Sequence, residues 1–503
     1  MSKLEEIQRI CLNRGIVFPT AEIYPTLSGF WDYGPVGALL KKKFIDYWRE
    51  FFVKSEDNIF EIDGCTVLSE DVFKASGHLQ SFVDPFAQCQ KCKTMHRADQ
   101  LIEEKTGKFV EGKSIKELTE IIKKEKIKCP KCGNALSNVR MFNLMLKTEI
   151  SPVGGQTGYL RPETAQNIFV AFPRVFRATR SKLPMGIAQV GHSFRNEISP
   201  RHFLVRIREF SQTEIEMFYD PKKPGCSKFD EIKGKRVVIY TREAQKRKKK
   251  PVELTAEQAV KKKIVPNEWM AYFLAKEFEF YMSLGIPKAC LRFRHMLPEE
   301  TPHYSLGNFD LEIKFDFGWK ETVGNAIRTD YDLKKHMQLS KKDMTVLTDD
   351  GRKVIPWVTE PSFGIERTIA GILLHCYMED KKRGWNWFKF PVEIAPYTAS
   401  VFPLVNRDNL PKIAREVYRK LKKCFDVFYD ESGSIGRRYA RADEVGTPFS
   451  ITIDYDTLKD TTCTIRDRDT TRQVRVKIDD LVSVLNRLMN GEVKFEKVGK
   501  LIK

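Results

Sequence analysis

The sequence predicts an α+β fold in which helices cover an antiparallel sheet, followed by a smaller α/β domain at the C-terminal end. Three observations carry this. Apolar residues recur at helical spacing in some stretches, such as Leu40, Phe44, Trp48 and Phe51 over 37–52, and alternate in others, where Leu311, Ile313, Phe315 and Phe317 are separated by Glu312, Lys314 and Asp316. The two kinds of segment lack the regular βαβ rhythm of a parallel sheet. Neither Gly-x-Gly-x-x-Gly nor a Walker-type loop occurs, so Rossmann and P-loop nucleotide binding are unsupported.

The remaining elements follow in order. Strand-like stretches lie at 185–190 and 214–219. Asn267 stands as N-cap before an aromatic helix carrying Trp269 and Phe273, which stops at Gly285. A boundary falls near 390, at Trp385-Asn386-Trp387-Phe388-Lys389-Phe390-Pro391. Beyond it, helix 411–423 places Ile413, Val417 and Leu421 on one face and Arg415, Arg419, Lys422 and Lys423 away from them. Strands around 449–455, 461–466 and 473–478 complete a domain of ~100 residues.

The chain has 503 residues, enough for roughly three domains. Its apolar fraction of 42% excludes disorder, collagen and coiled coil. No apolar run approaches the ~18 residues of a membrane span, and acids at Glu5 and Glu6 stand where a signal peptide is basic, which predicts a cytoplasmic protein. The net charge of +19 is segregated: +10 in 222–265, +5 in 89–132 and +4 from 391 onward, leaving the main body neutral. Such segregation suits a polyanion spanning several modules, while a solvated lysine-rich surface accounts equally for Lys246-Arg247-Lys248-Lys249-Lys250 and Lys261-Lys262-Lys263. Of eleven cysteines, four form the pairs Cys89-Gln-Lys-Cys92 and Cys129-Pro-Lys-Cys132. Four thiolates at this spacing suit structural zinc, which would leave no open coordination position; a redox dithiol is the competing reading.

The densest polar stretch runs from Phe194-Arg195-Asn196-Glu197 through Ser199-Pro200-Arg201 to Arg206-Ile207-Arg208-Glu209-Phe210-Ser211-Gln212-Thr213-Glu214-Ile215-Glu216. A hairpin with arginines and carboxylates on alternate positions gathers opposite charges on one sheet face. That suits a ligand with both phosphates and an amine; a surface hairpin of ion pairs is the alternative.

Phe194 to Glu197 followed by Arg208-Glu209-Phe210 resembles the second signature of class II aminoacyl-tRNA synthetases. Glu360-Pro361-Ser362-Phe363-Gly364-Ile365-Glu366-Arg367 resembles the third, and Ser28-Gly29-Phe30-Trp31-Asp32-Tyr33-Gly34-Pro35-Val36-Gly37 the first, which in this class builds the dimer interface. With Arg161-Pro162-Glu163-Thr164-Ala165-Gln166 and Glu431-Ser432-Gly433-Ser434-Ile435-Gly436-Arg437-Arg438-Tyr439, the chain resembles the homodimeric glycyl-tRNA synthetases over nearly its whole length, apart from 222–265.

The resemblance implies a class II catalytic domain over 1–88 and 133–390, a zinc-binding insertion at 89–132, a basic insertion at 222–265 and an anticodon-binding domain at 391–503. It implies ATP, Mg²⁺ and structural Zn²⁺, with glycine and tRNA-Gly as substrates and a homodimer as the assembly. Arg195 would hold the α-phosphate and the glycine carboxylate, and Arg367 the far end of the triphosphate; both are the catalytic candidates. Glu197, Val205, Arg206, Ile207, Arg208, Glu209 and Phe210 would place the adenine, with Phe210 stacked beneath it, and Asn196 would join the ATP site. Gly364 would join the ATP site, and Glu321 and Thr322 would stand near Mg²⁺. Glu163, Glu214, Glu360 and Ser362 match the glycine site, joined by Phe210 and Arg97. Cys89, Cys92, Cys129 and Cys132 would hold zinc.

Binding discriminates one methylene by only ~1–3 kcal/mol, so alanine is rejected by a crowded pocket, with no editing domain expected. Two departures stand out: Ile327 where the family has aspartate, removing a support for Arg328, and Glu366 where it has glycine, adding charge beside Arg367. A synthetase for another amino acid and a non-catalytic synthetase-like binder are the other readings; retention of Arg195 and Arg367 disfavours the second. The basic segment 222–265 is expected to contact the tRNA acceptor arm.

Overall fold

The computed structural model describes all residues except 1, 2, 26, 109, 111, 152–154, 302–304 and 503. A nine-stranded sheet is built from β1 (Ile59–Ile62), β2 (Met185–Phe194), β3 (Glu209–Tyr219), β4 (Arg236–Tyr240), β5 (Val252–Thr255), β6 (Leu291–His295), β7 (Asn308–Phe315), β8 (Gly318–Thr329) and β9 (Trp357–Gly364). The spatial order is β5-β4-β6-β7-β8-β9-β3-β2-β1. Neighbours run antiparallel except for β1–β2 and β4–β6.

One face of this sheet is dry. Helix α1 (Pro35–Arg49) buries Leu40, Phe44 and Trp48 and runs on through a wide turn at Glu50–Lys54 that buries Phe52. Helix α3 (Glu268–Ser283) starts where the Asn267 side chain accepts from the Met270 N–H at 2.9 Å. Helix α4 (Ile365–Cys376) continues directly from β9 and is buried almost all round. Their aromatic rings interlock with the sheet, Phe52 lying 5.0 Å from Phe363 and 5.2 Å from Phe280. Period-two alternation then decides which residues face the opposite side. Ile215 and Met217 on β3, Val323 and Ile327 on β8 and Phe363 on β9 enter this core, so Glu214, Glu216, Arg328, Glu360 and Ser362 face away from it. Helix α2 (Ala165–Ala178) closes that second face over Phe218.

Segment 222–265, read as a basic insertion within the catalytic domain, supplies β4 and β5 at one edge of the sheet, and its Val237, Ile239, Leu254, Ala256, Ala259 and Val265 lie in the main core. Its lysines fall in turns, loops and the ends of short helices, outside both strands. One boundary differs from that read in the sequence. The cysteine-bounded module extends beyond 89–132, since its sheet comprises Val83–Gln88, Met95–Arg97 and Arg140–Asn143. Helices Ala98–Thr106 and Ile115–Lys124 supply its own core of Leu101, Ile102, Leu118 and Ile122. The cysteines mark turns inside this module and not its ends.

The C-terminal sheet of six strands carries helix Leu410–Leu421, which buries Leu410, Ala414, Val417 and Leu421. Ile413 lies at the edge of that stripe, partly buried. Asp443 ties this domain to the region before residue 390: it accepts from Arg466 at 2.9 and 3.0 Å, from Trp385 at 3.1 Å and from Arg383 at 3.4 Å.

Candidate active site

Strands β2 and β3 form a hairpin in which Phe194 faces Glu209 and Ser193 faces Phe210. The connecting loop is pinned at its base by the Arg195 N–H donating to Arg208 O at 2.8 Å. From outside, the Arg208 N–H donates to Gly29 O at 2.8 Å and its guanidinium to Ser28 O at 2.6 Å. Gly29 has φ +84°, and a Cβ there would meet Pro200 at 2.7 Å, so this approach requires glycine.

The hairpin, β7, β8, β9 and the start of α4 enclose a cavity of about 280 Å³. At one end the Arg195 guanidinium lies 5.2 Å from the Phe210 ring centroid and 5.4 Å from that of Phe82, while its Nε donates to Pro162 O at 3.1 Å. Arg367 Nε donates to Val205 O at 2.9 Å and its Nη1 to Glu321 Oε2 at 3.1 Å. Glu197 is held by Arg206 at 2.6 and 2.7 Å. Leu204, Val205 and Ile207 supply apolar wall, and Asp310, Glu321 and Thr322 line the side formed by β7 and β8. Burial, together with the charges of Glu321 and Glu312, pushes the Asp310 carboxyl well above the usual carboxylate range.

The other end is acidic. Glu163, Gln212, Glu214, Glu360 and Ser362 line it. The Thr164 hydroxyl donates to Glu214 Oε2, and Gln212 Nε2 donates to Ser362 Oγ at 3.1 Å. Glu214 Oε1 and Gln212 Oε1 are buried acceptors without a protein donor. Arg328 organises the carboxylates from the end of β8: it meets Glu360 at 2.8 Å, Asp332 at 2.9 Å and Glu163 at 3.4 Å. Burial raises the Glu163 carboxyl, but the charges of His78 and Arg328 and the hydrogen bonds of His78 and Gln166 outweigh it and hold Glu163 below its ordinary value. Ile327 does not weaken Arg328. It points into the opposite core, and Asp332, one helical turn onward, supplies the support.

Beneath Glu214 and Glu360 lies Glu216, fully buried, with neither carboxylate oxygen hydrogen-bonded by the protein. Burial, then the charge of Glu360, pushes its carboxyl well above the usual range. The folded pKa is thus raised above the unfolded value of about 4.3, so the wild type loses stability as pH rises from that value toward the folded one. Glu216→Gln removes this loss. Its melting temperature relative to wild type should rise between pH 5 and pH 8, and a pH-independent difference would contradict the assignment.

Arg97 pairs with Asp84 at 2.7 Å and with Asp99, and it lines the space beside the cavity together with Arg195, Glu197, Arg206 and Arg367. Other predicted residues fall outside the lining. Arg208 braces the loop from outside, and Glu209, on the alternate face of β3, pairs with His192 at 3.2 Å. Asn196 donates its N–H to Leu144 O at 2.8 Å and is also off the lining. Sequence reasoning missed Gln212, Asn308, Asp310 and Glu216. The signal for Asp310 was present: it shares the wet face of β7 with Glu312.

The cysteines Cys89, Cys92, Cys129 and Cys132 are unlinked thiols whose sulfurs all lie within 4.8 Å of one another. The Cys89–Cys132 and Cys92–Cys129 distances are 3.4 and 3.7 Å. A tetrahedral zinc with ~2.3 Å bonds needs sulfurs ~3.8 Å apart, so this donor set fits the metal. His96 Nε2, 3.3 Å from Cys129 Sγ, stands beside the cluster.

The tRNA synthetase class II core domain (G, H, P, S and T) matches residues 152–376, and the anticodon-binding domain matches 398–488. Sheet, cavity and matches together define a class II aminoacyl-tRNA synthetase with a C-terminal anticodon-binding domain. Glycine–tRNA ligase of Methanothermobacter thermautotrophicus is 40% identical, spanning 96% of this chain and 99% of that protein. The Methanothrix thermoacetophila enzyme of the same name is 38% identical over the full length of both, and that of Methanocaldococcus jannaschii 40% over 96% and 98%. The chain belongs to the glycine–tRNA ligase family.

Proposed function

We propose that this protein attaches glycine to tRNA-Gly at the expense of ATP, through a glycyl-adenylate. A glycine carboxylate oxygen attacks the α-phosphorus of ATP and the bond to pyrophosphate breaks; a hydroxyl of the terminal tRNA adenosine then attacks the glycyl carbonyl and AMP leaves. The observation that carries this reading is one cavity with two chemically opposite ends. Glycine offers an ammonium and a carboxylate. The unpaired oxygens of Glu214 and Gln212 suit the ammonium, and Glu163, Glu360 and Ser362 crowd the space a larger side chain would need. Arg195 spans the approach of two anions and Arg367 takes the distal phosphates, so the protein's work is positioning and charge stabilisation. Phe210 offers a ring for the adenine. The experiment is ATP-dependent transfer of radiolabelled glycine into acid-precipitable tRNA; no transfer would overturn the reading.

Asp310 and Glu321 are the carboxylates suited to Mg²⁺, an ion that neutralises phosphate charge when bound. The four cysteines would hold structural zinc. Purified protein should carry one zinc per chain, and chelation should expose 83–143 to protease while 391–503 stays resistant; metal content well below one per chain would contradict the site. Exposed Ile23, Tyr24 and Leu27, beside the first signature, suit the homodimer contact. No described helix is long and apolar enough to cross a membrane, and a cytoplasmic location agrees with a role in translation.

The lysines of 246–250 suit the tRNA acceptor arm. Just before them, Arg242 Nε donates to Met296 O at 2.6 Å and Gln245 Nε2 to His295 O at 2.7 Å, and Met296 lines the cavity, so the run sits near its rim. Because β4 and β5 form one edge of the sheet and bury Val237, Ile239 and Leu254 in the main core, deletion of 222–265 would destabilise the domain as well as remove the lysines. Replacing Lys246, Lys248, Lys249 and Lys250 by serine tests the surface alone. The tRNA KM should rise several-fold and its salt dependence flatten, with pyrophosphate exchange unchanged; unaltered tRNA kinetics would return these lysines to solvent.

A further inference from the structure

Glu366 is the acidic residue that precedes Arg367, yet it does not face solvent: its side chain is 5% exposed. Oε2 accepts from the Ser211 backbone N–H at 2.7 Å, and Oε1 accepts from Lys41 Nζ at 3.0 Å. Lys41 also donates to Ser211 Oγ at 2.6 Å and lies 4.7 Å over the Tyr33 ring. Four separate elements meet at this carboxylate: α1 through Lys41, β3 through Ser211, α4 through Glu366 itself, and the strand Trp31–Tyr33 through the Tyr33 hydroxyl, which donates to Oε1 at 3.5 Å.

The neighbours of these residues give the contact its meaning. Ser211 follows Phe210, the ring at the ATP end of the cavity, and Glu366 precedes Arg367, the guanidinium at the same end. One carboxylate therefore fixes the backbone on both sides of the space the nucleotide would occupy. A buried ion pair of this kind contributes little net stability against an apolar substitute, but it specifies geometry through directed hydrogen bonds.

We infer that Lys41 and Glu366 are positioning residues for ATP: their ion pair, clamped on Ser211, sets the separation between Phe210 and Arg367. The inference rests on the ATP site proposed above. Misplacement by about 1 Å is enough to cost a reacting or binding group much of its effect.

The test is ATP affinity measured by calorimetry on the full-length protein, which needs no assumption about the amino acid, together with the KM values for ATP and glycine in pyrophosphate exchange. Glu366→Gln and Lys41→Met should each weaken ATP about tenfold while the glycine KM moves less than about twofold. The double variant should match the single ones, because the interaction is already lost in either, and Lys41→Arg should restore most of the affinity. Melting temperatures separate this from unfolding, and the double variant, which leaves no unpaired buried charge, keeps the test usable if Lys41→Met is unstable. Folded variants that bind ATP within about twofold of wild type, or that raise both KM values equally, would overturn the inference. If wild type exchanged pyrophosphate with a different amino acid, the glycine reading would fail while the ATP comparison still decided this one.

Discussion

Replacing Arg195 by alanine should lower glycine-dependent pyrophosphate exchange by about a hundred- to a thousandfold, the usual cost of removing one preorganised donor from developing charge. Arg195 is suited to this because it is held without being neutralised. Its Nε is fixed by Pro162 O and its plane lies near Phe210 and Phe82, and no carboxylate among the described residues pairs with it. The change should appear mainly in kcat, since charge on the α-phosphate oxygens builds up only as the carboxylate attacks. The melting temperature should move little, because the lost contacts are one hydrogen bond and two ring contacts. Exchange retained within tenfold of wild type would remove Arg195 from the chemistry.

Arg328→Met should be the most destabilising single change at the acidic end. Arg328 is 2% exposed and bonds to three carboxylates on three elements, Glu163 before α2, Glu360 on β9 and Asp332 after β8. Breaking a buried pair by removing one partner costs ~3–5 kcal/mol, because the remaining charges stay buried and uncompensated. The pH dependence identifies the cause. Glu163 is held below its ordinary value, so its contribution to wild-type stability is present above the unfolded pKa of about 4.3 and is lost as pH falls toward the folded one. In Arg328→Met the part of that contribution due to the Arg328 charge is already gone, while the part due to His78 remains. The gap in melting temperature between variant and wild type should therefore be widest near neutrality and narrow as pH falls below about 5. A gap that is small or constant with pH would contradict the role given to Arg328.

What the sequence made legible is set by range. Alternation along β3 is local and separates Glu214 from Ile215 on its own strand, whereas Glu360 and Ser362 were placed by the resemblance alone. The signatures beginning at Phe194 and Glu360 likewise placed Arg195 and Arg367. Contacts that depend on strand order were hidden. Arg328 joins Glu360 because β8 lies beside β9, and Lys41 meets Glu366 across 325 residues. Glu366 consequently read as a stray charge beside Arg367, and Ile327 as a lost support. Arg97 lines the space beside Arg195 and Glu197, and its pairing with Asp84, thirteen residues earlier on a neighbouring strand, was likewise hidden. The buried residues of 222–265 were hidden by its composition, since net charge averages over wet and dry positions alike.

Pyrophosphate exchange into ATP, run with each of the twenty amino acids in turn, tests the central claim most directly. A cavity that pairs unpaired acidic oxygens and crowding carboxylates with two arginines predicts exchange with glycine and none above background with alanine or serine. Exchange driven equally well by another amino acid, or by none while tRNA still binds, would contradict it.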